Sequence, residues 1–292
     1  MKVKHEAIGA MAILLAACSA AFAATTINDP NQNAYGANVG WINARGDITN
    51  GAVLGQSFCA GYLWSANIGW ISLGNGPTNG WHYANAAAND WGVNHDGLGN
   101  LTGYAYGANI GWINFEQTNG LPKIDLLTGN LSGYAYGANI GWISLSNAQA
   151  YVQTDTLSPG PDSDGDGIPD PWEYRMAGNT TALWGGGHDA DGDGASDVKE
   201  AAADTDPLDE TDVLTITALN RLSDTNYLTW TIEPTRLYRL EHTVALTNGA
   251  SWPDSGLGQM IPDLGATMMR GVFDPASTTR FYRVMAIVPL SE

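Results

Sequence analysis

Residues 103–115 read G-Y-A-Y-G-A-N-I-G-W-I-N-F, and this stretch decides the fold of the first half of the chain. Its chemistry is that of a β-hairpin. Tyr104, Ala105 and Tyr106 form an outgoing strand, Gly107, Ala108 and Asn109 supply the turn, and residues 112–115 return. Gly and Asn tolerate the positive φ that tight hairpin turns require. Side chains alternate along a strand, so Ile113 and Phe115 share one face while Trp112 and Asn114 share the other. The pattern predicts Ile and Phe inward, with Trp and Tyr as a ladder on the second face.

Working outward, the same unit recurs at 33–44, 61–73 and 133–145. Its core is aromatic-x-x-Asn-Ile/Val-Gly-Trp-Ile. The repeated residues Trp41, Trp70, Trp112 and Trp142 are separated by 29, 42 and 30 positions. One unit is therefore about thirty residues, with an insertion after the second copy that carries Trp81, His82 and Trp91. Repeats of this length are expected to be stacked supersecondary units sharing one core. The candidate ligand-contact aromatics are Trp41, Trp70, Trp112, Trp142, Tyr104, Tyr106, Tyr134 and Tyr136, because rings offer large, rigid contact area. Packing of each Trp against the neighbouring unit is the competing expectation, and the repeat period favours it. These units resemble the G-Y-A-W-S-x-N-x-G-W-I repeats of bacterial exported proteins, a resemblance that implies no particular activity.

The chain has 292 residues with 36 Gly, 11 Trp and 12 Tyr but only 14% charged residues, a composition that favours a mainly β fold rich in tight turns. The formal net charge of −18 excludes the basic footprint of a nucleic-acid binder and disfavours anionic membranes. Fifteen of the 30 acidic residues lie between Asp162 and Asp212, opposed there only by Arg175 and Lys199.

Those acids sit at fixed spacing. Residues 162–173 and 189–200 both read D-x-D-x-D-G-x-x-D-x-x-E. Calcium is a hard cation that takes six to eight oxygens from such a loop. The expected ligands of the first loop are Asp162, Asp164, Asp166, the Ile168 carbonyl, Asp170 and Glu173. Those of the second are Asp189, Asp191, Asp193, the Ala195 carbonyl, Asp197 and Glu200. Gly167 and Gly194 stand where the chain must turn sharply. Two calcium ions are expected, with room for more. Proline at 159 and 161 argues against a helix before the first loop, so these are not full EF-hands. The second loop continues as E-A-A-A-D-T-D-P-L-D, residues 200–209, and so resembles bacterial thrombospondin type 3 repeats. In that family the Asp of T-D-P adds ligation, which makes Asp206 a further candidate.

At the N-terminus, Lys2 and Lys4 precede an apolar run from 7 to 17 and a small-x-small site at Ala21-Phe22-Ala23. This reads as an export signal over residues 1–23, with a secreted or outer-surface destination. An alternative stays open: Leu15-Ala16-Ala17-Cys18 resembles a lipobox, which would leave Cys18 lipidated. No later segment is long and apolar enough for a transmembrane span. If Cys18 leaves with the signal, Cys59 has no disulfide partner and reads as a small buried hydrophobe.

The remaining organisation is a repeat β domain at 24–150, a linker and two loops with small helices at 151–212, and a β domain at 213–292. Residues 157–161 are linker-like, L-S-P-G-P. In the last part, Leu228, Trp230 and Ile232 alternate on one face, and 237–243 and 280–288 read as strands. The pieces L-T-W-T-I, L-Y-R-L-E-H-T and R-F-Y-R-V resemble C-terminal modules of bacterial secreted proteins, which implies an immunoglobulin-like β-sandwich. No paired carboxylates, nucleophile elbow or histidine metal spacing marks an enzyme. The expected function is a calcium-binding modular protein for adhesion or for carbohydrate or surface binding. The alternatives are a structural matrix protein and an accessory domain of a carbohydrate-active enzyme.

Overall fold

The computed structural model describes residues 24–46, 48–275 and 279–291, and the expected export signal with Cys18 lies outside them. The described chain is mainly β. Four hairpins come from the four repeats. They pair Ile27–Gly36 with Gly40–Asn43, Tyr62–Ser65 with Gly69–Ser72, Leu101–Gly107 with Gly111–Phe115, and Tyr134–Gly137 with Gly141–Ser144. Each hairpin pairs with the next, and the last returns to the first through Tyr35 opposite Ser144 and Gly36 opposite Ile143. The repeats therefore do not stack in a line. They close head to tail into an eight-stranded barrel, which leaves no hairpin with a free edge.

The inner face follows the alternation. Ile42, Ile71, Ile113 and Ile143 are all buried, opposite Ala34, Leu63, Ala105 and Ala135 on the outgoing strands. A large residue facing a small one on all but the second hairpin suits the narrow interior of a small barrel. Segments between hairpins add short strands that bring Leu54, Cys59, Val93, Ile124, Leu131 and Val152 into the same core. Cys59 is fully buried, and burial pushes its thiol up to about 12. Leu157, assigned to the linker on composition, is in this core too, and Ser158 bridges Gly55. The chain thus leaves the barrel only at Pro159.

The hairpin turn is shifted by one residue from expectation. Gly107 still belongs to its strand and faces Gly111 across the ladder, so the turn is residues 108–110. The Ile110 N–H donates to the Gly107 carbonyl at 3.1 Å, and Gly111 then takes φ +78°. This is a three-residue loop followed by a left-handed glycine. The asparagine is thereby released from any conformational duty in the turn.

Its side chain does something else. Asn67 Nδ2 donates to the Val39 carbonyl at 2.9 Å, Asn109 to Ile68 at 3.0 Å, Asn139 to Ile110 at 2.9 Å, and Asn38 to Ile140 at 3.0 Å. Each hairpin tip is stapled to the preceding one, and the fourth bond closes the ring. The motif spacing Asn-Ile/Val-Gly-Trp is thereby explained. Asn reaches the neighbour, Ile or Val fills the tip, Gly reverses the chain, and Trp emerges on the outer wall.

Residues 213–291 form a second β unit. Ile216–Leu222, Thr225–Thr231 and Thr267–Phe273 make one antiparallel sheet; Leu237–Thr243 and Phe281–Ile287 make another. Both sheets contribute to one core around Leu228, Trp230, Tyr238, Leu240 and Met268. The described residues carry five strands here, where an immunoglobulin constant-type sandwich has about seven.

The asparagine ring yields a direct expectation. Asn109→Ala strands the Ile68 carbonyl and should destabilise the barrel by about 1–3 kcal/mol in denaturant unfolding. Asn114→Ala, on the outer wall, should change stability by no more than about 0.5 kcal/mol. Equal effects at the two positions would mean the ring contributes nothing.

Candidate metal centre

Both acidic loops adopt the same local geometry, set by short-range hydrogen bonds. In the first, Asp162 accepts from the N–H groups of Gly165 and Gly167 at 2.8 and 3.1 Å, and Asp166 accepts from Ile168 at 2.8 Å. In the second, Asp189 accepts from Gly192 and Gly194 at 2.7 and 3.0 Å, and Asp193 accepts from Ala195 at 2.6 Å. Gly167 and Gly194 have φ of +97° and +98°, which L side chains rarely adopt. The result is two three-carboxylate clusters, Asp162 with Asp164 and Asp166, and Asp189 with Asp191 and Asp193. Within each, oxygens of the three acids lie within 4.8 Å of one another.

Short helices follow, α1 at Asp170–Met176 and α2 at Asp197–Ala203. They carry Glu173 and Glu200, which lie outside the three-acid clusters but near enough to feel the charges of Asp164 and Asp166, and of Asp191 and Asp193. Glu173 is 0% exposed, yet neither of its carboxylate oxygens meets a hydrogen-bond donor. Glu200 Oε2 is likewise unpartnered, as are Asp191 Oδ2 and Asp193 Oδ2. Burial, and then Asp164, Asp166, Asp170 and Asp162, push Glu173 up to about 7. Burial, and then Asp191 and Asp193, push Glu200 up to about 7 as well. An acceptor-only group buried without donors suits a hard cation, and every group converging on these sites is an oxygen.

The two acids at the ninth loop position are also hydrogen-bonded within the segment. Both oxygens of Asp170 accept from Ser163, one from its N–H and one from its hydroxyl. Asp197 accepts from Ala190 N–H at 3.0 Å, Trp184 N–H at 3.0 Å and His188 Nδ1 at 2.8 Å. Asp162, Asp166 and Asp189 likewise accept on both oxygens, and a ninth-position acid of such a loop often reaches the ion through water. Asp206 belongs to neither cluster, and its Oδ1 accepts from the Leu208 N–H at 3.0 Å. Ile168, whose carbonyl was the expected ligand, buries its side chain with Trp172 and Leu183.

The metal segment is tied to the rest of the protein through Asp204, the left-handed residue that ends α2. Its buried carboxylate accepts from Trp172 Nε1 at 2.9 Å and pairs with Arg175, both of the first loop's helix. From the C-terminal unit, the Thr235 hydroxyl donates to it and Arg236 approaches at 3.5 Å. Arg236 also donates to the Ala201 and Ala202 carbonyls at the end of α2. Burial opposes the charge on Asp204, but Arg236, Arg175 and Thr235 outweigh it and hold the carboxyl below its usual range. Sequence reading missed this residue, since nothing in E-A-A-A-D distinguishes it from its acidic neighbours. On the other side, Tyr174 of α1 lies against Gly80 of the barrel insertion.

The repeated aromatics are not packed away. Trp41, Trp70, Trp112 and Trp142 are 44–50% exposed, which overturns the expectation that each fills the adjoining unit. Each leans on the ring opposite it across its hairpin, Tyr35, Trp64, Tyr106 or Tyr136, at centroid distances of 4.7–4.9 Å. Tyr104 and Tyr134 flank the last two pairs at 6.1 and 6.2 Å, and Trp91 from the insertion packs on Trp112 at 5.1 Å. Tyr62 takes the same flanking place in the second hairpin, 6.1 Å from Trp70.

Comparison with known proteins finds no family model, no curated protein and no solved structure that matches this chain. No helix among the described residues is long and apolar enough to cross a membrane.

Asp204→Asn leaves Arg236 buried without its counter-charge, a change of the kind that costs about 3–5 kcal/mol. The expected outcome is easier proteolysis at the junction with cation binding at the two loops retained. Loss of cation binding alongside would show that Asp204 supports the loops as well as the junction.

Proposed function

We propose that this is an exported calcium-binding protein in which two calcium ions stiffen the segment between a repeat β-barrel and a C-terminal β-sandwich of immunoglobulin-like character. The observation that carries the reading is Glu173, a fully buried carboxylate with no donor for either oxygen, close enough to the three clustered aspartates to feel their charge. The second loop places Glu200 in the same way, with Oε2 unpartnered and Oε1 accepting from the Thr205 hydroxyl at 3.4 Å. In this reading Asp162, Asp164, Asp166 and Glu173 hold one ion, and Asp189, Asp191, Asp193 and Glu200 the other. The Ile168 and Ala195 carbonyls add to the shells, with Asp170 and Asp197 acting through water. Magnesium suits these loops less well, since it keeps more of its waters.

Calorimetric titration of the purified chain should find two calcium ions per molecule. Glu173→Gln and Glu200→Gln should each remove one. A chelator should make residues 159–212 the preferred site of proteolysis while the barrel resists. Absence of calcium binding, or cleavage unchanged by chelator, would sink the proposal.

The barrel wall supports a second reading, binding of carbohydrate or of a surface. Its paired rings stand in rows with neutral polar residues, Asn43, Ser72, Asn114 and Ser144, each two residues after the tryptophan on the same return strand. Exposed rings flanked by neutral polar groups suit an uncharged, hydroxyl-rich ligand. A glycan array run with and without calcium tests this. Alanine at Trp41, Trp112 and Trp142 together should abolish any binding seen, without altering the calcium stoichiometry. A scaffold role without a ligand gives an array with no hits.

A further inference from the structure

Residues 183–185 lie between the two loops in sequence and touch both. The Gly185 N–H donates to Asp166 Oδ2 at 2.6 Å, in the first loop's carboxylate cluster. One residue earlier, the Trp184 N–H donates to Asp197 Oδ2, the acid that braces the second loop through Ala190. Leu183 is fully buried with Ile168 and Trp172 of the first loop, and Val198 and Ala201 of α2 pack on the same cluster.

The contact is close. A Cβ on Gly185 would stand 1.9 Å from the Asp166 carbonyl oxygen, so only glycine permits this approach. Displacing Asp166 must therefore displace the backbone at 185, and with it the donor that Asp197 uses at 184. The apolar core that both loops share has only three fully or nearly buried members. Neither loop can complete that core alone, because each supplies part of it.

We propose that residues 183–185 form a strap that makes the two cation sites cooperative, each calcium ion raising the affinity of the other loop. The proposal rests on the calcium reading above. The first ion fixes Asp166 and so places the strap and Leu183. The second loop then binds its ion with Trp184 already docked on Asp197, and less ordering remains to oppose binding. Coupling of this kind is reciprocal, so each site must feel the other by the same factor.

Calcium titration of the full chain and of Glu173→Gln and Glu200→Gln decides it. Near-UV circular dichroism of the barrel tryptophans confirms that each variant is folded. With one site removed, the remaining loop should bind calcium at least about fivefold more weakly than in the parent, by a similar factor in both variants. Gly185→Ala, and Trp184→Pro as a change that adds no bulk beside Asp166, should lower the parent's affinities to those single-site values with two ions still bound. If the remaining loop keeps its parent affinity to within about twofold in both glutamine variants, the coupling is overturned and calcium binding stands. If the parent binds no calcium, the calcium reading falls and the coupling with it. The glutamine pair decides the question even where a strap variant misfolds.

Discussion

Two buried carboxylates set the terms for the middle of this protein. Glu173 and Glu200 are turned away from solvent onto clusters of other acids, and the protein offers Glu173 no donor. An ionised carboxylate taken out of water without compensation costs several kcal/mol. The apolar contacts available to offset that are few: Ile168, Trp172 and Leu183, each worth roughly 1.5–3 kcal/mol. Protonation relieves the cost as pH falls through about 7, and a divalent cation removes it above that. Under the proposed calcium reading, the compact form of residues 162–204 is conditional in a way that the barrel is not.

The barrel carries its own closure. Four equivalent asparagine bonds and four inward isoleucines hold the hairpins in a ring without any titratable group in the pattern. His95, buried beside this core, is held neutral: burial lowers its pKa, Nδ1 meets the Gly55 carbonyl and Nε2 accepts from the Gly99 N–H. The metal segment and the second β unit meet at Asp204. That carboxylate gathers groups from α1, α2 and the C-terminal unit, so the order of the two helices and the placement of that unit are a single problem.

Much of this was legible because alternation and repetition are strong signals. Ile113 inward with Trp112 outward, the strands around Trp230 and Leu240, and the acid spacing of the two loops all follow from residue pattern alone. Closure was not legible. A thirty-residue repeat suits a linear stack and a ring equally, and what selects the ring is the pairing of Tyr35 with Ser144, more than a hundred residues apart. The asparagine was read as a turn former because Asn tolerates positive φ; the glycine two places on takes that conformation, and Asn is free to reach its neighbour. The loop pattern puts acids at 170 and 197, but the bonds these make to Ser163, Ala190 and Trp184 come only from the three-dimensional placement.

Ring closure also explains why the tryptophans face outward. In a linear stack both faces of a unit meet neighbours, and a large ring repeated at each step is buried by the next. In a small closed barrel the interior is filled by isoleucine and alanine, with no volume left for indole. The outer wall has no following unit to cover it, so every repeat presents an aromatic pair to the surroundings, Trp with Trp in the second and Tyr with Trp in the others. The repetition that sequence reading assigned to packing therefore becomes repetition of an exposed surface. Under the proposed calcium reading, what the joint controls is the direction in which that surface is held relative to the C-terminal unit.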